Sequence, residues 1–229
     1  MTSDKQPGAV VEPRFDTHYV DWRSRRLAAI RSHYGDDFFR GRTVLELGCG
    51  YGDIGAALAS LGASVTCCDA RAEHLAVLQA RFPHLSVVQA DLNHDWPFGH
   101  FDLILHLGLL YHLEPSHRSL RHSCRSAEHL VLETEVCDSN SPELVLLVPE
   151  EGYDQAVHGF GCRPTARRVE RLLAGEGVAF ERVEDGRCNA GMHVYDWPLT
   201  GSGGYAHGQR RFWFARREEE GALAAKAVA

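Results

Sequence analysis

The stretch Val44-Leu45-Glu46-Leu47-Gly48-Cys49-Gly50-Tyr51-Gly52-Asp53-Ile54-Gly55 constrains this chain more than any other. A short apolar run ends in an acid, glycines follow at alternate positions, and a helical pattern begins at Asp53. This reads as a buried parallel strand passing through a tight, nearly side-chain-free turn into a helix. Such a turn lets a ligand approach the backbone, and the helix start offers free N–H groups. A dinucleotide fingerprint would place its third glycine one step later, with a pyrophosphate on the helix N-terminus. Asp53 stands there instead, and its carboxylate would repel a pyrophosphate.

The E-x-G-x-G-x-G form resembles motif I of the class I S-adenosylmethionine (SAM) methyltransferases. Two further strands in the right order strengthen the resemblance. Val65-Thr66-Cys67-Cys68-Asp69 ends in an acid beside the glycine turn, where a carboxylate can accept both ribose hydroxyls. Leu85-Ser86-Val87-Val88-Gln89-Ala90-Asp91-Leu92 ends in another. The resemblance implies that Asp91 takes the adenine amino group and that the backbone N–H of Leu92 meets a ring nitrogen. A fourth strand, Phe101–His106, runs into Leu107-Gly108-Leu109-Leu110-Tyr111-His112-Leu113. This is similar to motif IV, beside the transferable methyl. The resemblance spans roughly residues 40–135 and implies SAM as cofactor, with Glu46, Gly48, Cys49, Gly50, Asp69, Ala70, Asp91, Leu92 and His106 lining its site.

Strands and helices alternate along the chain: strand 43–47, helix 53–61, strand 64–68, helix 71–81, strands 85–89 and 101–106, a helix around 115–125, and strand 129–135. Units of this length imply right-handed crossovers and a parallel sheet. The Pro164-Thr165 pair starts a further helix carrying Val169, Leu172 and Leu173 on one face. Strand 178–183 follows, then 210–215, with no helix between them, so the last strand is expected to run antiparallel. The expected fold is α/β and Rossmann-like, with seven strands, mostly parallel, and helices on both faces. Residues 1–14 read as a disordered N-terminus, 15–216 as the SAM-binding domain, and 217–229 as a tail that frays. Within the domain, 15–39 (one or two amphipathic helices), 137–163 and 184–208 are lid segments, because long excursions from the ligand-bearing sheet edge are usually functional. Thr200–Gly204 is either a hinge or a plain surface turn.

The chain has 229 residues, of which 44% are hydrophobic, enough for one packed α/β domain. No stretch has the apolar length of a membrane span, and the polar start is no signal peptide. Seven cysteines without a C-x-x-C argue against a disulfide framework or zinc site and fit a reducing cytoplasm. The net charge of −7 disfavours nucleic acid, whose binding depends on neutralising phosphates. Histidines 158, 193 and 207 lack metal-ligand spacing, so no metal is expected.

Methyl transfer from a sulfonium depends mostly on alignment, worth roughly 7–11 kcal/mol, while a general base adds about 10²–10⁴-fold. Candidate bases are His106, His112, Glu133 and Glu135, with His112 preferred, about one turn beyond strand four. Tyr111 is a candidate for contact with the sulfonium. Glu135 ends strand five and points to the expected pocket mouth. Arg163 is a candidate clamp for a substrate carboxylate, and Asn140, Tyr153 and His158 are candidate substrate contacts in the second lid. The expected activity is therefore SAM-dependent methylation of a small molecule, such as a specialised metabolite, with the oligomeric state open. Two alternatives stand beside it. The Leu110-Tyr111-His112 turn with Val145–Pro149 is also similar to transfer-RNA wobble-uridine modifying enzymes, although fold does not fix function. Long lids could instead fold the cofactor's own aminobutyrate chain for intramolecular alkyl transfer, releasing methylthioadenosine.

Overall fold

The computed structural model describes Thr17, residues 19–114 and residues 116–218. The expectations for residues 1–14, for Pro115 and for the tail beyond 218 lie outside the described residues. Five parallel strands carry the first half: β1 (Thr43–Leu47), β2 (Ser64–Asp69), β3 (Ser86–Gln89), β4 (Phe101–Leu107) and β5 (Ala127–Glu135). Helices α2 (Asp53–Ser60), α3 (Ala72–Arg81) and α4 (Ser116–Arg125) connect them, and α1 (Val20–Tyr34) precedes them. Two strands, β6 (Val145–Pro149) and β7 (Phe160–Pro164), form a separate antiparallel hairpin. Helix α5 (Ala166–Gly175) and strands β8 (Val178–Val183) and β9 (Arg210–Arg217) complete the main sheet.

The sheet order is β3-β2-β1-β4-β5-β9-β8, and β9 runs antiparallel to both its neighbours. The antiparallel last strand follows from the missing helix between β8 and β9, as expected. The hairpin was not expected: the 137–163 segment is a structured arm, with Leu146 paired to Arg163 and Leu147 to Cys162.

Alternation along each strand sends side chains to opposite faces and builds two cores. On one face Val44, Leu103, Leu105, Val131, Phe212 and Phe214 pack with α1, α2 and α3. On the other, Leu45, Ile104, Leu130, Leu132 and Trp213 pack with α4 and α5. The α5 start is held by Thr165, whose Oγ1 accepts the Arg168 N–H at 3.0 Å. Val169 and Leu173 of that helix are buried as the periodicity predicts. No helix among the described residues is long and apolar enough to cross a membrane.

Candidate active site

Gly48, Gly50 and Gly52 all have positive φ, +63°, +53° and +77°. This explains their alternate spacing, since other residues rarely adopt that backbone. A Cβ on Gly52 would also lie 2.6 Å from the Leu78 side chain. Gly55, in the first turn of α2, lets the helix settle on β1 and β2: a Cβ there would meet Glu46 Oε2 at 2.7 Å and Cys67 Sγ at 2.9 Å. In its place, the Gly55 N–H donates to Glu46 Oε2 at 2.9 Å. Burial pushes the Glu46 carboxyl up to about 7, against the pull of that bond and of Arg26.

The loop opens onto a cavity at the carboxyl edge of the sheet. Glu46, Gly48, Cys49, Gly50, Asp69, Ala70, Asp91 and Leu92 all line it, so eight of the nine expected cofactor contacts converge on one space. Asp69 is held beside the loop, accepting from Gly50 N at 3.0 Å and from Arg71 N at 2.9 Å. Asp91 accepts from the Asn93 backbone and side-chain amides at 3.0 and 2.9 Å. Burial would raise its pKa, but the bonds to His158 and Asn93 outweigh it, and the carboxyl lies below its ordinary value. Backbone free of side chains, then an acid at the end of β2 and another two residues past β3, fits the adenosyl half of SAM: carboxylates for the ribose diol and adenine amine, glycine backbone for close approach. Asp53, at the helix start, is paired with Arg81 at 2.7 Å and Arg23 at 3.5 Å, which neutralises it.

His106 is a correction. It shares its face of β4 with Ile104, is fully buried, and bonds Ser119 Oγ of α4 at 3.0 Å through Nε2. Strand alternation turns it away from the cavity, and burial lowers its pKa to about 4. Glu135 is another correction. Expected at the pocket mouth, it is completely buried and does not line the cavity, being bound to Arg163 and Arg210. Arg163 is only 2% exposed and engaged by Glu135 and Glu150, so it has no free edge for a substrate carboxylate. Asn140 is exposed and away from the cavity, and Tyr153 sits over His74 behind it. Nor does His158 line the cavity; it caps Asp91 from outside at 2.6 Å. Thr200–Ser202 fold around the Asp138 carboxylate through three backbone N–H groups and two hydroxyls, so this turn is pinned rather than hinged.

Tyr111 and His112 do line the cavity. The Tyr111 hydroxyl accepts from Arg210 Nη2 at 2.9 Å, and burial pushes the phenol up to about 12. A buried chain of alternating charge runs beneath them. Arg26 meets Glu133 at 3.2 Å, Glu133 meets Arg210 at 2.8 Å, and Arg210 meets Glu135 at 3.4 Å. Glu135 meets Arg163 at 2.5 Å, Arg163 meets Glu150 at 2.6 Å, and Glu150 meets His112 at 2.5 Å. Each buried charge thereby has an opposite neighbour, which its desolvation demands.

Several cavity residues gave no sequence signal. Tyr19, just before α1, and Trp22, Arg23 and Arg26 of α1 lie in the 15–39 segment expected as a lid, but none was singled out as a contact. Trp22 is fixed by stacking on His193 (3.9 Å, 3°) and by donating to the Tyr195 hydroxyl at 2.6 Å. Residues 154–157 form a strap over the mouth. Tyr19 donates to Asp154 at 2.6 Å, Arg71 to the Gln155 carbonyl at 2.9 Å, and Ala156 N to Glu150 at 3.0 Å. The strap also brings His158 to Asp91 and His94, giving three ligand atoms within 4.8 Å of one another, a grouping hidden in the sequence spacing.

Residues 44–128 match a family described as "Methyltransferase domain". No curated protein matches the sequence. Among solved structures, the chain is similar to the N-terminal domain of EvdMO1, determined with S-adenosylhomocysteine (SAH) and D-fucose: 18% identity, TM-score 0.64, covering 87% of this chain and 84% of that one. It is also similar to a SAM-dependent methyltransferase from Mesorhizobium loti, with 21% identity, TM-score 0.60, and coverage of 84% and 98%. A third is the 1,6-didemethyltoxoflavin-N1-methyltransferase of Burkholderia thailandensis, with bound 1,6-didemethyltoxoflavin and SAH: 19% identity, TM-score 0.54, coverage of 90% and 81%. At these identities the structural likeness is one of fold. The motif order, the cavity and the family match agree: residues 44–128 match a methyltransferase domain, in a fold shared with SAM-dependent methyltransferases.

Proposed function

We propose that this protein transfers the methyl group of SAM to a small-molecule acceptor. The observation that carries this reading is the enclosure of the cavity. From Asp69 and Asp91 it passes the glycine loop to Leu107–Leu113, and α1 and the 154–157 strap cover it. A covered space lined by both apolar and polar side chains suits a compact ligand beside the cofactor. Two of the similar structures, EvdMO1 and the toxoflavin enzyme, were determined with small molecules present, which supports the same class here. Eight expected contacts are proposed for SAM: Glu46, Gly48, Cys49, Gly50, Asp69, Ala70, Asp91 and Leu92. Arg26 and Trp22 are proposed for the remainder of the cavity; the Arg26 guanidinium lies 3.8 Å from the Trp22 ring centroid. A cytoplasmic setting fits seven cysteines that are all free and buried.

Mass analysis of the spent cofactor tests this. Purified protein incubated with SAM and a small-molecule extract is expected to release SAH together with a product 14 mass units heavier than its precursor (one CH₂). Release of methylthioadenosine would establish intramolecular alkyl transfer instead. Salt-sensitive binding of transfer RNA, with methyl transfer to it, would establish the RNA reading.

A further inference from the structure

We propose that His112 and Glu150 form a general-base dyad, and that the acceptor is accordingly a hydroxyl compound, an alcohol or a phenol. This rests on the methyl-transfer reading above and deepens it.

The first support is geometric. His112 lines the cavity, and its Nδ1 lies 2.5 Å from Glu150 Oε2. Its Nε2 makes no hydrogen bond among the described residues and is not sealed from solvent. The ring therefore has one edge fixed to a carboxylate and the other open.

The second support is how firmly Glu150 is held. Only 5% exposed, it takes Arg163 Nη2 at 2.6 Å on one oxygen, and Ala156 N at 3.0 Å with His112 on the other. Gly161 of β7 makes room for this approach, since a Cβ there would lie 2.5 Å from both Glu150 Oε1 and the Tyr111 carbonyl. Burial alone would raise the Glu150 pKa, but His112 and Arg163 outweigh it, and the group stays a carboxylate. A carboxylate only accepts, so Nδ1 carries a proton, and whenever the ring is neutral its lone pair is on Nε2. The charged and titratable groups behind the ring are Glu150, then Arg163 of β7, with Tyr111 packed against it at 3.9 Å between ring centroids.

The acceptor class follows from what needs such a base. An amine attacks with its own lone pair, and a thiol ionises near neutral pH. A neutral hydroxyl does neither, and gains most from a positioned base. In the step, an oxygen lone pair forms the O–CH₃ bond while the S–CH₃ pair returns to sulfur, giving SAH. The hydroxyl proton passes to Nε2, and the imidazolium, paired with Glu150, later releases it to water. Glu150 is a positioning residue, since it acts through His112.

The test begins with the wild-type chain, labelled with ¹⁵N-histidine and saturated with SAH. Long-range proton–nitrogen NMR is expected to show His112 protonated on Nδ1 when neutral. Glu150→Gln is expected to shift the neutral-ring tautomer away from Nδ1–H in the same NMR measurement and to change SAH affinity less than about twofold, with kcat down about 10²-fold. Turnover is then read on phenol, aniline and thiophenol, and on glucose, glucosamine and 1-thioglucose. Methylation of a hydroxyl form that falls about 10²-fold or more in His112→Gln supports the proposal. An Nε2–H tautomer in wild type, or transfer only to amine or thiol forms, overturns it, as does failure of every hydroxyl form while SAH binds. Failure to bind SAH at all would overturn the cofactor reading, and this proposal with it.

Discussion

His158 Nε2 lies 2.6 Å from Asp91 Oδ2, so a histidine beyond the strap already holds the acid proposed for the cofactor. The pair is half-exposed on the histidine side, with 51% of that side chain open to solvent. An exposed ion pair of this kind contributes about 1 kcal/mol or less. Removing the competitor raises the fraction of protein whose Asp91 is available. His158→Ala is expected to tighten SAH binding about two- to fivefold, read by calorimetry. Weaker binding would mean that His158 stays on the cofactor side.

Asp69 is expected to carry more of the affinity. Its carboxylate is fixed by Gly50 N and Arg71 N at the rim of the glycine loop. A hydrogen bond to a charged group contributes roughly 1.5–3 kcal/mol, so Asp69→Ala should weaken SAH binding about 10–100-fold. An unchanged calorimetric constant would remove the ribose assignment.

Glu46 makes stability depend on pH. Its carboxyl is pushed from 4.5 up to about 7 by burial, so the folded chain keeps a proton that the unfolded chain has lost. That contribution is full below about 4.5 and disappears as pH rises through about 7, a change of roughly 3 kcal/mol. Urea unfolding without ligand should show the loss between about pH 5 and 8. The difference between wild type and Glu46→Gln isolates it, because only the variant lacks this slope.

Arg210 is the hinge of the buried charge chain, touching Glu133, Glu135 and the Tyr111 hydroxyl at 1% exposure. Arg210→Met should cost about 3–5 kcal/mol, since it strands buried carboxylates. Adding Glu133→Gln should recover part of that loss in urea unfolding. Equal stability of wild type and single variant would mean that water reaches the chain.

The strands and acids of the cofactor edge were legible because each follows from local rules. Val44, Leu45 and Leu47 are apolar where a strand is buried on both sides, and the glycine spacing matches three positive-φ positions. His106 could also have been placed correctly, because alternation along β4 puts it with Ile104. Glu135 and Arg163 could not, since their burial depends on one another and on partners 13 to 75 positions away.

By itself, the sequence determined the α/β alternation, the antiparallel last strand and the acids near the ends of β1, β2 and β3. These rest on hydrophobic period, turn chemistry and connection length, all properties of neighbouring residues. Only the tertiary structure decided which charges lie beneath the cavity, what covers it, and that Glu150 stands behind His112. Those relationships join α1, the β6–β7 arm and β9, segments far apart in the chain. A buried charge is stable only beside its opposite, and which opposite it meets is settled when the segments pack.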